Sequence, residues 1–306
     1  MGTLFLITLF AMDEGHASSA AKAAFDRIDA LEDVMSDYQA DSELMRLCDQ
    51  PAGTPVHVSK DLFDVMEHAQ KISRASGGAF DVTIGPYVRL WRFARKRKVL
   101  ASAEEMAAAV PAVGFKKLKL DSRGLTITLL APNMRLDLGG IAKGYAADQA
   151  LAVLKDRGIE RALVAASGDI AIGDPPPDLA GWKIGVTEID ANTNALDGSL
   201  LLRNCGISTS GDTEQSIVIS GVRYSHILDP ATGLGLTNRI QATVIAPDAT
   251  TTDALATTVC VLGTKRGLKL VESTPRVSAL IITKQGEQTH TSTSRRFTRL
   301  PRAEAH

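Results

Sequence analysis

Hydrophobic residues recur along this chain with two periods, every second position in some segments and every third or fourth in others. The first period is typical of strands with one buried face, and the second is typical of amphipathic helices. Read together with turn residues, the pattern predicts strands over residues 3–10, 79–84, 116–120, 125–130, 134–138, 162–166, 182–187, 199–203, 205–208, 217–222, 223–228, 241–246 and 277–283. Helices are predicted over residues 13–36, 43–48, 59–76, 101–110, 248–263 and 264–273, and another follows Gly140 and ends at Gly158.

The order of these elements favours an α+β fold over a regular βαβ array, because neighbouring strands form antiparallel groups with helices interspersed. We expect mixed, mainly antiparallel sheets with flanking helices in a single large domain over residues 1–285. The chain shows no internal repeat and no linker long enough to divide it. Residues 286–306 are polar, basic and aperiodic, and we expect this C-terminal tail to be loosely ordered.

The composition is that of an ordinary globular protein, with 44% hydrophobic and 23% charged residues in a chain of 306. The net charge of −1 gives no reason to expect a nucleic-acid partner. The three cysteines are widely spaced and form no CxxC pair, so free thiols are expected rather than disulfides or a structural zinc site. No apolar run reaches about 18 residues, so no transmembrane helix is predicted.

The apolar N-terminal segment is the part of the sequence that could indicate in which cellular compartment the protein is located. Residues 1–11 lack a basic leading region and a clear cleavage site, so the sequence favours a strand there over a signal peptide. We therefore expect a cytoplasmic location for the chain as it reads, and a periplasmic or cell-envelope location if an export signal precedes it.

A glycine pair, Gly139 and Gly140, lies between the predicted strand at 134–138 and the helix that follows. Paired glycines let the backbone approach a ligand closely, and amides at a helix start can face an anion. Asp137 and Lys143 add one charge of each sign beside the pair. The turn is a candidate phosphate or nucleotide site, although a turn that only packs a helix on a sheet has the same pattern.

Asp253 and Thr257 lie four residues apart near the start of a predicted helix, which places a carboxylate and a hydroxyl on one face. Hard oxygen ligands of this kind suit Mg²⁺, which takes one or two carboxylates and completes its shell with phosphate and water. The competing interpretation is structural, because the helix dipole favours an aspartate in a first turn.

Two further stretches carry polar groups in suggestive places. His226, next to an Asp-Pro turn, is a candidate general base near neutral pH, and a surface or core histidine is the competing interpretation. The sequence Ala79-Phe80-Asp81 is compatible with a slot for a planar ring and equally with a strand that ends in a turn.

Other chemistries lack a motif in this sequence. There is no HExxH, GxSxG or P-loop sequence, and the glycine pair is not the GxGxxG fingerprint of a dinucleotide-binding domain. The basic run at residues 92–98 is typical of a solvated surface segment.

Seven stretches together resemble the ApbE-type FAD:protein FMN transferase family, in that family's order and over essentially the whole chain. They are SDYQADSEL (36–44), AFDVTIGPYVRLW (79–91), LDLGGIAKGYAAD (136–148), SGD (167–169), TSGD (209–212), YSHILDPATG (224–233) and DALATTVCVLG (253–263). The resemblance implies an ApbE-like fold and a Mg²⁺-dependent enzyme. Such an enzyme cleaves FAD at its pyrophosphate, transfers FMN to a Thr or Ser hydroxyl of a target flavoprotein as a phosphoester, and releases AMP.

The resemblance also implies a site. The family's FAD contacts fall on Met1, Tyr38, Ala79, Phe80, Asp81, Asp137, Lys143 and Ile227. Its metal ligands fall on Asp253 and Thr257, with Ala256 and Gly140 at backbone or neighbouring positions. His226 takes the position of the residue that activates the acceptor hydroxyl. Asp253 also counts as a catalytic residue, because it holds the metal. The amides of Gly139 and Gly140 would then face the phosphates.

Two other functions use the same residues. A Mg²⁺-dependent FAD pyrophosphatase would yield FMN and AMP without an acceptor protein. A non-catalytic FAD-binding protein would retain FAD intact when Mg²⁺ is supplied.

Overall fold

The computed structural model describes residues 3–186, 199–211 and 216–303, so Met1 and Asp212 lie outside the described residues. Along the chain the elements are β1 (Phe5–Leu9), α1 (Glu14–Met35), α2 (Glu43–Cys48), β2 (Val56–His57), α3 (Lys60–Ser76), α4 (Gly85–Arg97), α5 (Ala103–Ala109), β3 (Leu118–Asp121), β4 (Thr126–Leu129), α6 (Ala142–Asp156), β5 (Ala162–Ala166), β6 (Asp169–Ile172), β7 (Trp182–Ile184), β8 (Leu200–Leu202), β9 (Cys205–Gly211), β10 (Ser216–Ile219), β11 (Val222–Ser225), β12 (Arg239–Ala246), α7 (Ala249–Ser273), β13 (Ser278–Gln285) and β14 (Gln288–Thr293).

The main sheet has the strand order β1-β5-β6-β9-β12-β13-β14, and each neighbouring pair in it is antiparallel. Smaller sheets are formed by β2-β4-β3, by the hairpin β10-β11 and by β7-β8. The predicted α+β class with mainly antiparallel sheets is confirmed. The hairpin between β10 and β11 turns at Ser220 and Gly221, as predicted, and both residues have positive φ angles of 50° and 79°.

Helices α6 and α7 pack on each other and against the main sheet, and their close approach depends on Gly144. A Cβ atom at position 144 would lie 2.1 Å from the Ala249 carbonyl oxygen and 2.9 Å from the Asp253 Cβ. Only hydrogen fits there, so the starts of the two helices meet backbone to backbone. The predicted helix boundary at Gly263 is present as a kink in α7, where φ is 71° and ψ is 174°.

The prediction of a strand over residues 79–84 is wrong. Val82–Ile84 forms a turn of 3-10 helix that runs directly into α4. The cause is Asp81, whose carboxylate accepts hydrogen bonds from the Thr83 amide and hydroxyl and so closes a local turn. Residues 134–138 keep the predicted alternation of buried and more exposed side chains but pair with no strand.

The prediction of a loosely ordered segment over 286–306 is also wrong for its described part. Gln288–Thr293 forms β14 and pairs with β13 at the edge of the main sheet. Further on, the Phe297 side chain is 1% exposed and lies in the core. The side chains of β14 are polar on both faces, and the strand is held by its backbone pairing with β13. A polar edge strand of this kind has no alternation of apolar residues, so the hydrophobic pattern does not predict it.

None of the helices in the described ranges combines the length and apolar character that crossing a bilayer requires.

Candidate active site

The centre of the site is a buried cluster of Lys143, Asp169 and Asp253, which come from α6, β6 and α7. The Lys143 Nζ atom lies 3.0 Å from Asp169 Oδ2 and 3.1 Å from both carboxylate oxygens of Asp253. It also donates to the Gly139 carbonyl oxygen at 3.0 Å. The side chains of Asp253 and Asp169 are only 2% and 5% exposed, so the ammonium and the two carboxylates interact with little solvent screening.

The cluster carries more negative than positive charge, since two carboxylates share one ammonium. Burial, reinforced by the neighbouring Asp169 carboxylate, raises the pKa of Asp253 to about 7, and Lys143 opposes the rise. Burial disfavours the charged form of Lys143, but Asp253 and Asp169 outweigh it and raise the pKa of the ammonium. A buried site with an unbalanced negative charge is suited to a further cation.

The first turns of α6 and α7 are each bound by an aspartate of the other helix. Asp253 Oδ2 accepts from the Gly144 amide at 3.1 Å, and α6 has no side-chain cap of its own at Ile141. Asp148 on α6 accepts from the Ala249 and Thr250 amides at 2.9 and 2.8 Å. Carboxylates are stabilised at helix N-termini, so this exchange fixes the relative position of the helices that carry Lys143 and Asp253.

Asp148 also gives the fold a testable pH dependence. Burial, with the nearby Asp248 as a smaller contribution, raises the pKa of Asp148 from the usual 3.8 to about 6 against its hydrogen bonds from Thr250 and Ala249. A raised folded-state pKa means that the stabilisation by this group is complete below pH 3.8 and is lost as pH rises through about 6.

We expect the wild type to lose about 2.4 kcal/mol of unfolding free energy relative to Asp148→Asn between pH 4 and pH 7, because Asn does not titrate. Denaturant unfolding of both proteins across this range measures the difference. The Asp156→Asn variant, which removes an exposed carboxylate from the same helix, is the control. A pH-independent difference for Asp148→Asn would contradict the assignment.

The glycine turn lies against the predicted metal ligands. A Cβ atom at Gly140 would lie 3.4 Å from Thr257 Oγ1 and 3.3 Å from the Phe80 ring, so position 140 borders both side chains closely. The Gly139 amide, which was expected to face a phosphate, donates a hydrogen bond to Asp137 Oδ1 at 2.8 Å in this structure. The turn therefore presents the Gly139 carbonyl to Lys143 and holds the Asp137 carboxylate in place.

Hydroxyl groups join α7 to β9 beside this turn. Thr257 Oγ1 lies 3.3 Å from Ser210 Oγ, and Ser208 Oγ lies 2.7 Å from Thr252 Oγ1 one turn earlier in the helix. Ala256, the other predicted metal position on α7, is buried and its methyl side chain has no donor atom, so only its backbone carbonyl could be a ligand.

Hard oxygen donors for a cation are thus present in the Asp253 carboxylate and the Thr257 hydroxyl. No group of three or more His, Cys, Asp or Glu side chains with the geometry of a metal site occurs in the described part of the chain. Mg²⁺ does not require such a group, because it binds through one or two carboxylates together with substrate phosphates and water. The donor set therefore fits Mg²⁺ better than Zn²⁺.

Tyr38 and Asp137 are brought together through Arg92 of α4. The Arg92 guanidinium lies 4.1 Å from the centroid of the Tyr38 ring and 3.7 Å from Asp137 Oδ2. The same guanidinium is paired with Asp37 at 2.5 Å.

Asp81 is buried and engaged in local structure. Its carboxylate accepts from Thr83, as described above, and from the Phe115 amide at 2.7 Å. Burial raises its pKa against these bonds. Ala79 precedes it at a half-buried position, and the neighbouring Phe80 packs in the core next to Gly140.

His226 lies in the bend after β11 and its side chain is exposed. The next residue, Ile227, is buried in the same core as Phe80 and Ala256, and its amide donates to Ser225 Oγ at 3.1 Å. The bend is therefore anchored on both sides of a solvent-accessible histidine.

Asp169, Ser210 and Arg92 belong to this site but are absent from the predicted site residues. The sequence held a signal for Asp169 and Ser210, because they lie in the SGD and TSGD stretches, which are small-residue turns or strand ends. Their contacts with α6 and α7 arise only from the tertiary fold, which sequence spacing does not encode.

The chain matches the ApbE family over residues 1–281. It is 32% identical over 285 residues to the FAD:protein FMN transferase of Klebsiella pneumoniae (strain 342), covering 93% of this chain and 87% of that protein. The FAD:protein FMN transferase of Vibrio cholerae is 32% identical over 288 residues, with coverages of 93% and 85%.

Solved structures show the same fold. The flavin transferase ApbE from Vibrio cholerae superposes with a TM-score of 0.87 at 30% identity, over 98% of this chain and 96% of that one. The ApbE protein of Thermotoga maritima superposes with a TM-score of 0.86 at 30% identity, over 99% and 97% of the two chains.

Proposed function

The chain belongs to the ApbE family, and we propose that it acts as a FAD:protein FMN transferase, the activity for which its relatives are named. In this reaction FAD is cleaved between its two phosphates, the FMN half is joined to an acceptor flavoprotein, and AMP is released. The observation that carries the proposal is the buried Lys143–Asp169–Asp253 cluster beside the glycine turn. Phosphoryl transfer depends mainly on positioning and charge neutralisation, and this cluster offers both.

We propose Mg²⁺ as the cation of this site. Asp253 and Thr257 would hold it through side-chain oxygens, and Gly140 and Ala256 would lend backbone carbonyl groups. The support is the donor chemistry and the excess negative charge of the cluster, which a divalent cation would offset. When bound, Mg²⁺ supplies Lewis-acid neutralisation of the pyrophosphate oxygens.

The side chains of this site have separate roles. Lys143 remains charged and places its ammonium beside the glycine turn, where the pyrophosphate would lie, while its N–H groups are held by Asp169, Asp253 and the Gly139 carbonyl. Asp169 on β6 binds the ammonium of Lys143. The flexible lysine side chain is therefore already ordered before the reaction begins.

The acceptor group we propose is a Thr or Ser hydroxyl. Its oxygen attacks the phosphorus of the FMN half, the new P–O bond becomes a phosphoester, and the P–O bond to AMP breaks. His226 accepts the hydroxyl proton, and its exposed position allows a side chain of a second protein to reach it.

Removal of divalent metal is expected to abolish the release of AMP from FAD. Purified protein incubated with FAD, an acceptor flavoprotein and an excess of EDTA should form no AMP above the rate without protein, and Mg²⁺ added beyond the chelator should restore the activity. AMP measured by chromatography is the readout. Undiminished AMP release in EDTA would contradict the proposed metal, and intact FAD retained in the presence of Mg²⁺ and acceptor would indicate a binding protein.

A further inference from the structure

Arg92 differs from the other basic residues of its run. Arg92 faces the protein and is partly buried. The other four basic residues are exposed at the end of α4 and just beyond it, at Arg95, Lys96, Arg97 and Lys98. The Arg92 guanidinium forms an ion pair with Asp37 and approaches Asp137, as the site geometry shows.

The Tyr38 ring is the surface on which Arg92 lies. This ring is 76% exposed, an unusual position for a large aromatic side chain, and the guanidinium covers part of it at 4.1 Å from the centroid. Exposed aromatic rings bind planar heterocycles by stacking on their faces. An exposed ring without a neighbour changes rotamer freely, and a cation stacked on it restrains that motion.

Arg92 also joins two segments of the chain that would otherwise repel each other. Asp37 lies in the turn that carries Tyr38, and Asp137 precedes the glycine turn. Burial and the Asp37 carboxylate raise the pKa of Asp137, and Arg92 opposes that rise together with Lys143 and the Gly139 amide. The guanidinium therefore ties the Tyr38 turn to the segment that leads into the Lys143 cluster.

We propose that Arg92 is a positioning residue that fixes the Tyr38 ring as a stacking platform for a planar ring of FAD. The inference rests on the proposed function and adds a residue that acts on FAD through Tyr38. Arg is suited to this role because its planar, delocalised cation stacks on an aromatic face while its N–H groups pair with carboxylates, a combination that the compact ammonium of a lysine reproduces only in part.

The test is the dissociation constant of FAD for the wild type and the variants Arg92→Ala, Tyr38→Ala and the double variant, measured by flavin fluorescence. We expect Arg92→Ala to weaken FAD binding about tenfold, within the range of a stacking contact. In the Tyr38→Ala background the same change should matter less than twofold, because the ring it positions is gone. Arg92→Lys should recover part of the affinity, and Arg95→Ala, an exposed change on the same helix, should have no effect.

Steady-state kinetics provide a second readout. Arg92→Ala should raise the KM for FAD with little change in kcat, since the reacting groups are untouched. An equal loss of affinity in the wild-type and Tyr38→Ala backgrounds would overturn the proposal, because Arg92 would then act on FAD directly. An equal effect of Arg95→Ala would overturn it in favour of general surface charge. Absence of FAD binding by the wild type would instead refute the proposed function itself.

Discussion

Replacement of Asp253 by Asn is expected to lower the rate of AMP release from FAD about a thousandfold or more, on the order of 4 kcal/mol in the activation barrier. Asn keeps the shape of the side chain and an acceptor for the Gly144 amide. It removes the charge that makes the cluster net negative and leaves Lys143 paired with Asp169 alone. The variant should therefore fold but lose its affinity for Mg²⁺.

Melting temperature and Mg²⁺ titration of activity separate these effects. Asp253→Asn should melt near the wild-type temperature and fail to recover at high Mg²⁺ concentration. Asp156→Asn, which removes an exposed carboxylate from α6, should retain full activity. AMP release by Asp253→Asn within threefold of wild type would show that Asp253 is not the metal ligand.

His226→Ala is expected to lower the transfer of FMN to the acceptor about 10²–10⁴-fold, the usual contribution of a general base. Because the His226 side chain is exposed and is proposed to act on the acceptor hydroxyl rather than on FAD, the affinity for FAD and the melting temperature should not change. The ratio of kcat to KM for the acceptor, obtained from adduct formation measured by mass spectrometry, is the quantity to compare.

The pH profile gives the His226 prediction a specific signature. A general base must be deprotonated to accept the hydroxyl proton, so wild-type transfer should fall at acidic pH, and His226→Ala should lose that acidic limb of the profile. His290→Ala, which removes an exposed histidine from β14, is the matched control and should behave as wild type. An unchanged rate and profile in His226→Ala would exclude it as the base.

The sequence predicted the parts of the site that depend on local spacing. Asp253 and Thr257 share a face of α7 because they are four residues apart, and Gly140 lies beside Thr257 as the resemblance implied. Asp169 was not predicted, because its contact with Lys143 joins a strand and a helix, and no periodicity relates the two positions.

The errors in the predicted fold have physical causes of the same kind. Asp81 follows an apolar residue in a strand-like pattern. Its carboxylate, however, closes a turn with Thr83 and accepts a hydrogen bond from the Phe115 amide. β14 was overlooked because its pairing with β13 uses backbone groups, while its side chains are polar. Arg92 resembled its basic neighbours in sequence, and only the packing of α4 against the Tyr38 turn distinguishes it.

The most direct test of the central claim is the ratio of AMP released to FMN attached when the protein is incubated with FAD, Mg²⁺ and a candidate flavoprotein encoded beside it. If the Lys143–Asp169–Asp253 site transfers FMN to a protein hydroxyl, each AMP should be matched by one acceptor whose mass has increased by a phosphoester-linked FMN. AMP accompanied by free FMN and an unmodified acceptor would contradict that account and identify the protein as a FAD pyrophosphatase.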